Sequence, residues 1–335
     1  MTSKILALVL MFFGLNSPAN ALMQSSAFWW PSPLTSTAGL AKGSFNNAAG
    51  SRDYLLFSPS TPPDRSQAGL VVVLHGCFQT GQQMADGTGF NALAEEKGLY
   101  ILYPEQTYAA NPWKCWNWFE MENLQRDTGE LSILSGMTRE IMNEKNIPAS
   151  RVFVTGLSAG AGMASNLLAC YSDLFSGAAI HSGLEYMAAT NEQEAHDVLK
   201  TGSSRDVNET GETAFKCSPN RQAPLKVMTI HGTKDPFVNT VNSDRVIDQF
   251  IQVNDFIDDG RDNNSFKTSI QETRIPNEAS KYPARVETYF HKKRPYMQKI
   301  WVEGMGHGWS GGSPVAPYMD PRGVNVSKEI VDFFF

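Results

Sequence analysis

Charge is scarce in this 335-residue chain, at 19% of residues, and its balance leans acidic, with a formal net of −6. No basic stripe interrupts that balance, which argues against a nucleic-acid partner, since phosphate binding rests on clustered Lys and Arg. Only four cysteines occur, Cys77, Cys115, Cys170 and Cys217, with no Cys-x-x-Cys and no His-x-x-x-His spacing. No metal is therefore expected. There is no internal repeat, no long linker and no low-complexity tail. Past Ile5–Leu15 no second long apolar run follows, so nothing beyond the leader reads as a bilayer span.

The leader itself is legible. Lys4 opens it, Ile5–Leu15 is its apolar run, and Ala19-Asn20-Ala21 places small residues where a signal peptidase reads them. The expectation is cleavage after residue 21, release from the membrane, and a single catalytic domain over 22–335 in the periplasm or outside the cell. No Cys sits near the cut, which argues against a lipid anchor. Export makes the four cysteines disulfide candidates, and counting alone leaves three connectivities open.

From Gly69 onward, apolar runs alternate with helical stretches. Strands are expected at Tyr54–Phe57, Gly69–Leu74, Leu99–Tyr103, Val152–Thr155, Gly177–His181, Leu225–His231 and near Lys299–Val302. Helices are expected at Gln83–Lys97, Thr128–Glu144, Ala159–Cys170, Ser243–Asn254 and Asn325–Phe335. That alternation predicts an α/β fold, a mainly parallel sheet with helices on both faces and the site beyond the carboxyl ends of the strands. Residues 255–296, rich in polar residues and lying between acid and base, read as a partial lid or rim.

Three residues stand at those strand ends. Gly156-Leu-Ser158-Ala-Gly160 follows an apolar strand and opens a small-residue helix, the context that lifts a nucleophilic serine above a Gly-rich turn. A serine hydroxyl needs a histidine to take its proton and a carboxylate to orient that histidine. Asp235 follows the strand Leu225–His231 in a Gly- and Pro-marked loop, where the alternative is a turn-capping aspartate. Of six histidines, His307 follows the last strand in Gly304-Met-Gly-His307-Gly-Trp-Ser, after the acid in chain order, and is the expected base. His75-Gly76-Cys77 follows an early strand, so the Cys77 amide, with that of Ala159, is the expected oxyanion hole. His75 is then a structural residue.

At this point the motifs carry a resemblance. His75-Gly-Cys77-Phe-Gln-Thr80, Tyr103-Pro-Glu105-Gln, Cys115-Trp-Asn-Trp-Phe119, Thr155-Gly-Leu-Ser158-Ala-Gly160 and Gly304-Met-Gly-His307-Gly-Trp-Ser-Gly-Gly312 resemble the polyhydroxybutyrate depolymerase-like serine esterases, grouped with feruloyl and acetylxylan esterases. The resemblance implies an α/β-hydrolase fold with Ser158, Asp235 and His307 catalytic, no cofactor, and polyester or short hydroxyacyl ester substrates. Ala161 departs from the family's usual glycine. No separate polymer-binding domain follows before Phe335, which favours oligomers or amorphous granules over crystalline polymer. Trp118 and Trp309 are candidates for groove walls and could equally be core. A feruloyl or acetylxylan esterase is the enzymatic alternative, and a polymer-binding protein on an inactive hydrolase scaffold the other. A monomer is expected.

The expected disulfide pairing is Cys77–Cys115 and Cys170–Cys217. The first pair follows two successive strand ends; the second joins the end of the nucleophile helix to the approach of the acid-bearing strand.

Overall fold

Six-residue runs of Val, Leu, Ile and Gly bury every side chain only when both faces of their sheet are covered. β3 (Gly69–Leu74), β4 (Leu99–Pro104) and β5 (Val152–Leu157) are buried at every position, as is β6 (Gly177–His181). A computed structural model describes residues 39–218, 223–275 and 281–335, all within one unit by their contacts. The expected leader lies outside the described residues.

Among the described residues the sheet has ten strands. β1 (Leu40–Asn47) and β2 (Gly50–Phe57) form an antiparallel hairpin joined to β4; then β3, β5, β6, β7 (Lys226–Gly232) and β10 (Arg294–Val302) run parallel. β9 (Ala284–His291) and β8 (Ser269–Ile275) close the far edge antiparallel. Side chains alternate between two cores. Leu70, Val72 and Leu74 join the layer under α3 (Gly129–Glu144), α4 (Ala159–Cys170), α6 (Val207–Cys217) and α7 (Val241–Asp259). Val71 and Val73 point to the layer under α1 (Gly81–Gly87), α2 (Phe90–Lys97) and α8 (Val326–Phe334). At 25 cal/mol per Å² or so of buried apolar surface, these two layers supply most of the folding free energy.

Several elements differ from expectation. The helix placed at Gln83–Lys97 is two, because Gly89 at φ 78° breaks it and Thr80 caps the first in a reciprocal box with Gln83. β1 emerges from a polar stretch as an edge strand whose residues are largely exposed. α5 (Glu192–Thr201) and α6 are polar helices capped by Asn191 and Asp206, with too few apolar positions to stand out in sequence. The described part of 255–296, expected as a lid or rim, forms the end of α7, the antiparallel pair β8–β9 and the first residues of β10, which extend the sheet sideways. Alternating burial along β9 gives the reason.

Candidate active site

β5 runs directly into α4, and Ser158 sits between them at φ 58°, ψ −120°. L-residues rarely adopt that conformation, and holding one there costs about 1–3 kcal/mol. Packing imposes it. A Cβ on Gly156 would lie 2.4 Å from the Gly160 backbone, and one on Gly160 would lie 2.4 Å from the Leu74 carbonyl. The two glycines let the helix start press against the ends of β5 and β3, and the turn lifts the serine off the sheet. The Ser158 N–H donates to the His181 carbonyl (3.0 Å), and no capping bond holds the hydroxyl. The Ala159 N–H, in the first turn of α4, has no partner inside the helix and lies at its positive end.

Asp235 follows β7, and His307 lies in the loop after β10, the strand paired with β7. His307 Nδ1 is 2.7 Å from Asp235 Oδ2, and the Asp235 side chain is fully buried. Oδ1 accepts the N–H groups of Phe237 (2.9 Å) and Val238 (3.0 Å). Burial alone would raise this carboxyl, but donors from His231, His307 and Val238 outweigh it and hold it well below the usual carboxylate range. An ionised Asp235 fixes the His307 proton on Nδ1 and leaves Nε2 as a base. Gly232 permits the approach: a Cβ there would meet the Met305 carbonyl at 2.4 Å.

The loop after β3 is braced from several sides. Gln106 N–H donates to His75 Nε2 (3.0 Å), so the ring proton is on Nδ1 and donates to the Gly76 carbonyl at 2.8 Å. Gln79 N–H reaches the same carbonyl at 3.2 Å. Carbonyl and N–H of a trans peptide point opposite ways, so these bonds turn the Cys77 N–H outward. That N–H has no backbone acceptor among the described residues. Burial pushes His75 down to about 4, which keeps the ring neutral. Cys77 is bonded to Cys115, and Cys170 to Cys217. Gln79, buried throughout, accepts Gly76 N–H and donates to the Pro317 carbonyl at 2.8 Å, joining this loop to the histidine loop.

The two tryptophans placed at a groove belong to the core. Trp309 is fully buried, donates to Ser327 Oγ and stacks on His181, because the strand pair β11–β12 (Trp309–Ser310 and Met319–Asp320) turns it inward. Trp118 is 4% exposed, pressed against Gly162 of α4. The exposed aromatics lie elsewhere. Phe237 is 53% exposed and meets His307 edge-on at 5.4 Å; Tyr318, 39% exposed, does so at 6.4 Å. Phe78 follows Cys77, is 47% exposed and rests on Trp113. Phe78 and Tyr318 hold φ of 63° and 58°. Sequence reading gave Phe78, Gln79, Phe237, Ser243 and Tyr318 no role of their own, and took His181 and His231 as structural histidines at strand ends, where the structure gives them hydrogen bonds.

A family model described as Esterase PHB depolymerase matches residues 53–274. The poly(3-hydroxyalkanoate) depolymerase C of Paucimonas lemoignei is 31% identical over 274 residues, covering 82% of this chain and 61% of that protein. An acetylxylan esterase of Coprinopsis cinerea is 30% identical over 198 residues, covering 57% of this chain and 52% of its own. The chain thus spans between half and two thirds of the lengths of these two relatives. Among solved structures, the acetyl xylan esterase from Aspergillus awamori superposes with a TM-score of 0.64 at 19% identity, over 84% of this chain and 93% of that one. The shared architecture is the α/β-hydrolase fold.

Proposed function

Because the chain belongs to the PHB depolymerase esterase family, we propose that it is an exported serine esterase that cleaves hydroxyalkanoate esters, hydroxybutyrate oligomers above all. Ser158 Oγ bonds to the ester carbonyl carbon as its proton passes to His307 Nε2. The carbonyl oxygen, now an anion, rests against the Cys77 and Ala159 N–H groups. Collapse breaks the bond to the leaving oxygen, which takes the proton from His307. Water, deprotonated by His307, then attacks the acyl-Ser158, and the acid leaves with the serine restored. Asp235 stays ionised throughout and orients His307.

The observation that carries the chemistry is the 2.7 Å bond between Asp235 and His307, in loops after β7 and β10 of the same parallel sheet whose β5 ends in the strained Ser158. Support for a polyester comes from the exposed aromatics Phe78, Phe237 and Tyr318, all on the loops that bear these groups. Such apolar surface suits a chain of ester and methylene groups. The two bonded cysteine pairs fit an oxidising compartment.

The test is a substrate panel for the purified protein: hydroxybutyrate trimer, amorphous polymer granules, methyl ferulate and acetylated xylan. Highest kcat/KM on the trimer supports the proposal. Preference for ferulate or acetylated xylan replaces the substrate, and binding without hydrolysis of any ester replaces the activity.

A further inference from the structure

Asp235 has two imidazoles on one oxygen. His307 is the nearer; the other is His231, the penultimate residue of β7 and fully buried. Its Nε2 lies 2.9 Å from the Val238 carbonyl and 3.4 Å from Asp235 Oδ2, and its Nδ1 lies 2.7 Å from Ser243 Oγ. A carbonyl only accepts, so Nε2 carries the proton and Nδ1 accepts the Ser243 hydroxyl proton. One N–H is thereby shared between the carboxylate and the carbonyl at the end of its own turn. Ser243 anchors the ring from α7, on the opposite side of the acid loop.

We infer that His231, backed by Ser243, is a positioning residue for the reaction: it clamps the Asp235 turn and draws charge from the oxygen that faces His307. This rests on the esterase reading above. Oδ1 is already held by two amides of the same turn. Without His231, Oδ2 would answer to His307 alone, and the Val238 carbonyl would be buried without that donor. The other groups facing the carboxylate are His181 from β6, kept uncharged by burial, and His307. Neither can replace the lost donor. A more negative Oδ2 would bind the protonated His307 more strongly, and the turn would loosen.

The experiment compares His231→Leu, which removes the donor, with His231→Gln, which returns an N–H, and with Ser243→Ala, which leaves the ring unanchored. Each is first checked for folding by near-ultraviolet circular dichroism. In His231→Leu, kcat should fall about 10- to 100-fold, the loss expected of a small misplacement. KM should change less than about threefold, and the acid limb of the kcat/KM profile should move to higher pH. His231→Gln should recover most of the loss, and Ser243→Ala should show the same signs more weakly. The low-field proton resonance of the Asp235–His307 bond should move in the Leu variant and hold its place in the Gln variant. A folded His231→Leu with unmoved kcat, pH limb and resonance would overturn the proposal. Equal losses in Leu and Gln variants with an unmoved pH limb would do so too. Should His231→Leu not fold, an unaltered Ser243→Ala serves the same purpose. The resonance can be read in Ser158→Ala protein, so a wild type without esterase activity fails the functional reading and not this one.

Discussion

His181 binds Ser158 through its carbonyl and Ser310 through its ring: the Ser158 N–H donates at 3.0 Å, the Ser310 N–H donates to Nε2 at 3.1 Å. One buried residue at the end of β6 therefore links the Ser158 turn to the loop that carries His307. Its replacement by leucine keeps the first bond and loses the second. The kcat of His181→Leu should drop about 10- to 100-fold with KM little changed, measured on a soluble ester. An unaffected kcat would mean the histidine loop is held well enough without it.

Ser158→Ala should lower turnover by about a million-fold, the cost typical of removing a triad nucleophile. Ser158→Gly should do the same and also raise the melting temperature, because glycine occupies φ 58° without strain. Relief of about 1 kcal/mol gives a rise on the order of 2–4 °C. Calorimetry on the two variants separates strain from chemistry.

The two disulfides close loops of similar length, with sequence separations of 38 and 47, so each should contribute about 4 kcal/mol by chain entropy. Their catalytic consequences should differ. Loss of Cys77–Cys115, by serine at both positions, should lower kcat together with stability, since the Cys77 amide is the proposed oxyanion donor. The Cys170→Ser, Cys217→Ser double variant should lose stability alone. Chemical denaturation and initial rates on the same samples make the comparison.

Acid should weaken the fold before it protonates Asp235. Burial lowers His75 from 6.5 to about 4 and holds His181 well below 6.5. The unfolded chain takes up those protons as pH falls through 6.5; in the folded chain His75 does not until about 4, and His181 not until well below 6.5. Stability present above that window is lost progressively within it, by about 1.4 kcal/mol per pH unit per histidine. Carboxyls raised by burial, Glu185 among them, pull the other way. His75→Asn against wild type isolates one contribution: its stability should decline less steeply from pH 6.5 to 4.5. Parallel slopes would contradict the assignment.

Phe237→Ala and Tyr318→Ala should lower kcat/KM on hydroxybutyrate trimer by about 10- to 200-fold each, the range of one pocket contact. A small activated acetate should be much less affected. Trp309→Ala should instead cost about 3–5 kcal/mol of stability, as a deleted core aromatic does. Equal losses on both esters would remove the two exposed rings from the substrate path.

Sequence reading succeeded where chemistry or burial leaves a local mark. Gly156-Leu-Ser158-Ala-Gly160 announces its turn because nothing larger than hydrogen fits at the two glycines. The runs at Gly69–Leu74 and Val152–Thr155 announce strands covered on both faces. It erred where contacts join distant segments. Trp309 stands in a flexible-looking Gly-rich loop, yet its partners, Phe90, His181 and Ser327, come from three other parts of the chain. His231 and Ser243 lie 12 residues apart but meet only because β7 and α7 pack together. The β8–β9 hairpin was hidden because an edge strand such as Ser269–Ile275, exposed at nearly every residue, has no apolar alternation to reveal it.

The bonds from Gln79 to Pro317 and from Ser327 to Thr88 span 238 and 239 residues of sequence. They bear on timing. A ribosome delivers Ser158 and Asp235 before His307, and these two bonds close only once the chain through Ser327 has been made. A growing or still-unfolded chain therefore holds an idle serine. On the proposed reading, hydrolysis must wait until these C-terminal residues have joined the fold.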